Sequence, residues 1–338
     1  MKLLTIAVPC YNSESYMENC VNSLLPGGDE VEIILINDGS KDSTPQIADR
    51  LAAEYPGIVK VVHKENGGHG SGVNAGIEHA TGLYYKVVDS DYWVDEQAYP
   101  KLLAKLREFA DMVEKPDAVI SNYIYDKEGA KHKKVMKYTG SLPKDRIFGW
   151  EDVKHMGLGH YILMHSLMYR TQVLKDCGLH LPEHTFYVDN LFAFVPFPYV
   201  KKMYYLDLDF YHYYIGRSDQ SVNETVMISR IDQQIRVNKM MIDCMAEQSH
   251  KHSNLRKYML NYLSIVTTVT SILLILMDSK EADAMKDDLW RYMKKKDLLT
   301  YTTLRRGILG ICMNFRSRLG RKLAVCGYKI SQKLYGFN

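Results

Sequence analysis

The sequence predicts an α/β protein with a mostly parallel central sheet, followed by a helical C-terminal region. Three observations carry this. Over the first 125 residues, short apolar runs alternate with helix-length stretches, the signature of βαβ units. Several of those runs end in polar or acidic clusters, where ligands collect in parallel sheets. From about Ser221 onward the pattern is helical, with few breakers before Gly307.

The elements follow in order. LLTIAVPC reads as a first strand, with a helix from Ser13 to about Leu25 behind it. The apolar N-terminal run is short and soon polar, so it reads as a strand and not as a signal peptide. VEIILIND is a second strand, and a helix begins near Ser43 with Pro45 in its first turn. IVKVVH is a third strand, followed by a glycine-rich turn and a helix to about Ala80. LYYKVVDSD is a fourth strand ending in carboxylates. A helix from about Asp95 to Phe109 leads to a fifth, DAVISNYIY. Residues 130–216 mix aromatic clusters, short strands and turns. The longest apolar stretch, Tyr262 to Met277, includes Ser and Thr and falls short of the roughly 20 residues a membrane span needs, so it reads as a buried helix.

Composition sets limits. The 338 residues are 46% hydrophobic and 25% charged, which excludes disordered and low-complexity classes. A net charge of only +3 excludes a wholesale nucleic-acid binder. The 25 Tyr against 9 Phe suit either amphipathic packing or stacking surfaces for sugars and bases. The six cysteines show no C-x-x-C and suit a reducing compartment, hence a cytoplasmic chain.

The chemistry lies at the strand ends: Pro9-Cys10-Tyr11-Asn12 after the first, Asn37-Asp38-Gly39-Ser40 after the second, Asp89-Ser90-Asp91 after the fourth. Each alone is a turn or cap signal. On successive strand tips of one sheet they converge. The D-x-D spacing offers two hard oxygen ligands to Mg²⁺ or Mn²⁺ shared with substrate phosphates. Gly70 to Ala75 fits G-x-G-x-x-A, but on the third βαβ unit instead of the first, which argues against a dinucleotide fingerprint.

In this order the motifs resemble the family 2 glycosyltransferases, which have the GT-A fold. VPCYNSESYMENCVNSLL, ILINDGSKDST, ENGGHGSGVNAGIEHATG, VVDSDYW, FYVDNLFAF and YHYYIGRSDQSV each resemble a successive segment of that family. The resemblance implies a GT-A domain over residues 1–221, its nucleotide-binding half about 1–125 and its acceptor half about 126–221, with a helical region over 222–338. It implies that Pro9, Tyr11 and Asn12 line the base and ribose pocket, that Asp38 accepts a hydrogen bond from the base, and that Asn66 and Gly67 lie along the nucleoside. Asp89 would contact ribose or metal, Asp91 the metal, and His212 would be a third metal ligand. Asp189 would be the general base, while Arg217 and Ser221 would close over the diphosphate.

Two departures stand out. The family loop often reads A-R-N-x-G, but here Val73 precedes Asn74, leaving Lys64 or His69 to supply the missing cation. The family's Glu-Asp pair is here Val188-Asp189, so one carboxylate remains. A single base behind the anomeric carbon implies in-line attack with inversion, the metal neutralising the departing nucleotide diphosphate. The expected function is transfer of a sugar from a nucleotide-diphosphate donor, a UDP-sugar first, to a hydroxyl of a glycan or lipid-linked acceptor in surface-polysaccharide synthesis. A sugar nucleotidyltransferase would need a basic glycine-rich loop after the first strand, which VPCYNSES lacks. A non-catalytic scaffold would not need intact Asp38, Asp91 and Asp189.

Charge is lopsided. From Trp290 to the end there are twelve Lys and Arg against Asp297, a charge of +11, leaving −8 for the rest. Apolar residues recur three or four apart among them: Leu304, Ile308 and Ile311, then Phe315, Leu319 and Leu323. Residues 290–338 are thus expected to meet an anionic membrane surface, placing the chain peripherally at the inner face of the cell membrane, or else to pack on the body of the protein or pair helices in a homodimer. No nucleic-acid partner is expected, since no binding motif accompanies the charge.

Overall fold

The computed structural model describes residues 1–127, 133–157, 160–215, 223–247, 253–315 and 317–335. It divides into two compact units, Met1–His155 with Ile162–Ile215, and Met156–Tyr161 with Gly216–Asn338. The boundary expected near residue 221 falls among residues outside those described, and a short upstream segment, Met156–Tyr161, belongs to the second unit.

The first unit opens with β1 (Leu4–Cys10), α1 (Met17–Leu24), β2 (Val31–Asp38), α2 (Thr44–Glu54), β3 (Val59–Lys64), α3 (His69–His79) and β4 (Tyr84–Val87). Every residue of β1, β2 and β4 is buried, as strands covered on both faces must be, whereas β3 at the sheet edge is only partly covered. β5 (Trp93–Val94), α4 (Ala98–Asp111), β6 (Ala118–Lys127), β7 (Lys134–Met136), β8 (Ile147–Phe148), β9 (Leu167–Arg170), α5 (Thr171–Asp176), α6 (Asp189–Phe194) and β10 (Met203–Ile215) complete it. The sheet order is β3-β2-β1-β4-β9-β6-β10-β5.

The fifth strand of the sequence reading, β6, does not lie beside β4. β9 comes between them, antiparallel to both. Two reversals restore the direction, so β6 and its parallel partner β10 point the same way as β1, β2 and β4. Their C-terminal ends share one edge of the sheet. That is what lets residues of β10 reach the tip of β4.

Most of the tyrosine surplus is packing material: Tyr84, Tyr85, Tyr99, Tyr123, Tyr169, Tyr205, Tyr211 and Tyr262 are fully buried. The six cysteines are free.

The second unit contains α7 (Glu224–Ser229), α8 (Ile231–Glu247), α9 (Ser253–Leu276), α10 (Lys280–Lys296), α11 (Leu298–Arg306), α12 (Ile308–Met313) and α13 (Arg318–Tyr335). Among the described residues α9 is the one helix long and apolar enough to cross a membrane. It is the central helix of its unit, flanked by α7, α8 and α10 to α13. Its polar side chains have partners inside the protein: Gln234 donates to Thr270 (3.2 Å), Asn238 to Thr267 (3.1 Å) and Trp290 to Ser271 (3.2 Å). That is how a core helix satisfies buried hydroxyls.

Candidate active site

The β2 tip is built around Asp38, the last residue of the strand. Its side chain is buried and accepts four hydrogen bonds. Oδ1 takes Lys64 Nζ (2.7 Å) and the Gly67 amide (2.9 Å); Oδ2 takes Asn66 Nδ2 (3.1 Å) and the Gly68 amide (2.7 Å). A carboxylate has about four acceptor sites, and all are used. Gly39 makes the approach possible, with φ +68° and no room for a side chain: a Cβ there would lie 2.8 Å from the Asn66 amide. The β1 tip is tied to the same loop. Asn12, at φ +50°, donates its amide to Ser40 Oγ (3.0 Å) and accepts from the Lys41 amide (2.9 Å).

Helix α3 starts where this loop ends and presses closely on β1. A Cβ at Gly72 would stand 3.2 Å from Pro9, and one at Gly76 would stand 2.6 Å from Ala7. Of the two glycines that mimic a dinucleotide fingerprint, Gly72 packs on β1, while Gly70 packs on the loop before α6, where a Cβ would stand 2.8 Å from the Pro182 carbonyl. The first residue of α3, His69, sends Nε2 to Asp89 Oδ1 at 2.7 Å.

Asp89 follows β4. The Tyr211 hydroxyl of β10 accepts from its amide (3.3 Å) and donates to Oδ2 (3.4 Å). Burial pushes the Asp89 carboxyl up, but the His69 charge and hydrogen bond, with the Tyr211 hydroxyl, outweigh it and hold the group below its ordinary range. Burial alone would push His69 down; the charges of Asp89, Asp189 and Asp91 overcome this and hold it above its ordinary value. His69 is thus the cation among three carboxylates.

Below them lies a layer of rings. His165 stacks on Tyr211 (centroids 5.1 Å) and Tyr213 (4.6 Å), and Tyr92 packs on Tyr213 (4.7 Å). Burial pushes His165 down to about 4, so it is neutral. Lys86 of β4 is buried beneath, donating to the carbonyls of His165 (2.7 Å) and Leu167 (3.4 Å), with Nζ 5.0 Å from the Tyr211 ring centre. Burial pushes it down to about 7.

Asp189 begins α6. The loop before it is fastened to α3 and to the loop that leads into α3. Asn74 exchanges two bonds with the Leu181 backbone (2.8 and 2.9 Å), Ser71 donates to Glu183 (2.8 Å), and the His184 amide donates to the Gly67 carbonyl (2.6 Å). His184 and Tyr187 adopt φ of +47° and +66°, strain that a fastened loop sustains. Burial pushes the Asp189 carboxyl up, Asp89 adds to this, and His69 partly offsets it. A carboxylate raised in this way is a stronger base.

Asp38, Asn66 and Gly67 therefore meet in one loop, and Asp89 pairs with His69, which also feels the charges of Asp189 and Asp91. Tyr11 is half-exposed at the β1 tip, with Asn12 exposed beside it. Pro9 is buried against Gly72 of α3. His212 parts from the metal set. Strand alternation turns it away from the Tyr211 and Tyr213 face. There it stacks on Trp93 (5.2 Å) and pairs with Asp126 (3.1 Å) and Asp95 (3.6 Å). Arg217 and Ser221 lie outside the described residues. Sequence reasoning missed Lys86, Tyr211 and the fastening role of Asn74. A lysine inside the apolar run LYYKVV was the available signal for the first.

The first unit is thus an α/β unit with acidic strand tips at one sheet edge, and the second is helical. The family described as Glycosyl transferase family 2 matches residues 5–168. Residues 5–168 thus carry a family 2 glycosyltransferase domain. The uncharacterized glycosyltransferase EpsJ of Bacillus subtilis is 40% identical over 101 residues, 30% of this chain and 29% of that protein. Glycosyltransferase GlyG of Streptococcus pneumoniae is 36% identical over 124 residues, 36% of this chain and 39% of that protein. The chain thus spans about a third of the length of these relatives. Among solved structures, S. aureus TarS 1–349 is similar with a TM-score of 0.51 at 18% identity, over 87% of this chain and 90% of that one. The fold is GT-A-like, with a helical C-terminal region.

Proposed function

We propose that this chain is an inverting glycosyltransferase that moves a sugar from a nucleotide-diphosphate donor to a hydroxyl of a glycan or lipid-linked acceptor. The observation that carries the reading is the Asp89–His69 pair, held next to the Asp38 loop and within the field of Asp91 and Asp189. Nucleotide recognition falls to Tyr11, Asn12, Asn66 and Gly67, with a uridine nucleotide the first to test. Arg217 and Ser221 remain assigned to the diphosphate.

Divalent-ion chemistry fits the donor set. Asp89 is held ionised, and Asp91 stands two residues on. Among the described residues no three His, Cys, Asp or Glu form a ready-made cage. Two carboxylates, with the remaining positions left to phosphate oxygens and water, suit Mg²⁺ or Mn²⁺. Bound there, the ion would neutralise charge on the departing diphosphate.

The chain's own residues do the rest. Asp189 accepts the acceptor hydroxyl's proton as the oxygen attacks the anomeric carbon, and its raised affinity for protons suits that task. No second carboxylate lies beside it in sequence for a double displacement, so the product has inverted configuration. His69 orients Asp89 and brings a positive charge to a site lacking the family's arginine.

The test is a thermal-shift panel of nucleotide sugars with and without Mn²⁺, followed by metal-dependent release of the nucleoside diphosphate. A donor that raises the melting temperature and is turned over supports the reading. Failure of every nucleotide sugar to bind would overturn it.

A further inference from the structure

The last helices of the second unit leave a surface that its own core does not use. From Leu298 to Asn338 the sequence has eight basic residues, Arg305, Arg306, Arg316, Arg318, Arg321, Lys322, Lys329 and Lys333, and no Asp or Glu. On α13 the small residues Gly320 and Ala324 face inward. Leu319, Leu323, Cys326 and Ile330 follow one another at spacings of four, three and four, a single stripe along a helix. That stripe faces outward: Leu319 is 70% exposed, Leu323 61% and Ile330 54%, with Cys326 exposed between them. Ile308 and Ile311 of α12 are also exposed. Leu304, by contrast, is buried, so the expected stripe through Leu304 breaks and the outward face begins at Ile308. Arg318, Lys322 and Lys329 flank the α13 stripe and are exposed.

Such a contiguous apolar face is uncommon on a soluble surface. Charge decides what covers it. Were a second copy to pair with this face symmetrically, two rows of Arg and Lys would meet, with no acid on the segment to offset them. An anionic bilayer supplies both missing elements, hydrocarbon for the leucines and phosphate for the cations. We infer that α12 and α13 form an interfacial surface that lies on an anionic lipid bilayer, the apolar stripe down and Arg318, Lys322 and Lys329 at the headgroups. This goes beyond the catalytic reading and does not depend on it.

The test is co-sedimentation of the full chain with phosphatidylcholine vesicles, with and without phosphatidylglycerol. Binding is expected only with the anionic lipid, and is lost at ~1 M salt, where the screening length falls to about 3 Å. Arg318→Gln with Lys322→Gln should weaken it about 25-fold, near fivefold per cation. Leu319→Ser with Leu323→Ser, both surface positions, should abolish it while leaving circular dichroism and the melting temperature unchanged. Failure to bind anionic vesicles at low salt overturns the inference. So does binding that survives loss of both leucines. A sedimenting dimer that Leu319→Ser with Leu323→Ser dissolves, without vesicle binding, would assign the face to a second copy instead.

Discussion

Asp38→Asn separates two roles that one carboxylate could have. The family resemblance makes Asp38 a reader of the nucleobase, whereas the structure has both of its oxygens already engaged by Lys64, Asn66, Gly67 and Gly68. An asparagine keeps the size but offers one acceptor oxygen. If its NH₂ replaces Oδ1, it faces Lys64 and the Gly67 amide; if it replaces Oδ2, it faces Asn66 and the Gly68 amide. Either way two donors meet a donor, and one of them is a backbone amide that cannot turn away. Hydrogen bonds to a charged group contribute about 1.5–3 kcal/mol each, so losing two costs roughly 4 kcal/mol. For a unit of this size that is a fall of about 8–16 °C in melting temperature. The assay is urea unfolding with m compared between variants, so that a shift in midpoint reports stability alone. An Asp38→Asn protein that unfolds at the wild-type midpoint but no longer binds donor would refute the structural role and return Asp38 to the base.

Other substitutions probe the rest of the site. Asp91→Ala should abolish metal-dependent turnover while the fold survives, because the side chain stands at a strand end; full metal-dependent activity would remove Asp91 from the ligand set. Asp189→Asn should leave donor binding intact and lower transfer by at least ~10²-fold, the low end of general-base catalysis. Asn74→Ala releases the Leu181 backbone and should lower kcat more than donor affinity, since what moves is the loop before Asp189; equal loss of both would show that Asn74 supports the nucleotide instead. Lys86→Met should change the pH dependence of stability. With Lys86 near 7 in the fold and 10.5 unfolded, the unfolded chain binds more protons across that interval, so wild-type stability rises with pH from about 7 upward. The contribution is about 1.4 kcal/mol per pH unit and should vanish in the variant; parallel curves would show that the ammonium is not buried as described.

What the sequence disclosed, and what it hid, follow from the range of each signal. The first four strands were legible because a strand buried on both faces is a continuous apolar run, and β1, β2 and β4 are that. The D-x-D and Asp38 positions were legible because strand tips carry them. β9 between β4 and β6 was not, because Leu167–Arg170 is four residues long and pairs with strands roughly 50 and 85 positions away in sequence. The placement of His212 was not legible: the ring lies on the face opposite Tyr211, and which face of β10 meets Asp89 is set by long-range pairing. The outward stripe of α13 was half legible. Spacing gave Leu319 and Leu323, but only the inward packing of Gly320 and Ala324 showed which side faces out.

Lys86 shows why the site is supported from below at an energetic cost. A lysine in a fully buried strand is unfavourable, and methionine would fill the space without an ammonium to desolvate. The β4–β9 ladder stops at the Tyr85–Tyr169 pair, and beyond it the carbonyls of His165 and Leu167 take Lys86 Nζ. That anchors the turn holding His165. The same ammonium lies near the face of the Tyr211 ring, whose hydroxyl grips both the amide and the carboxylate of Asp89. Three contacts thus connect the interior of β4 to the oxygen atoms at its tip. In the proposed site Asp89 would have to be held to within a fraction of an ångström, and a methionine could fill the hole but could not hold the turn. The buried charge is therefore better explained by the placement of Asp89 than by stability, which it lowers.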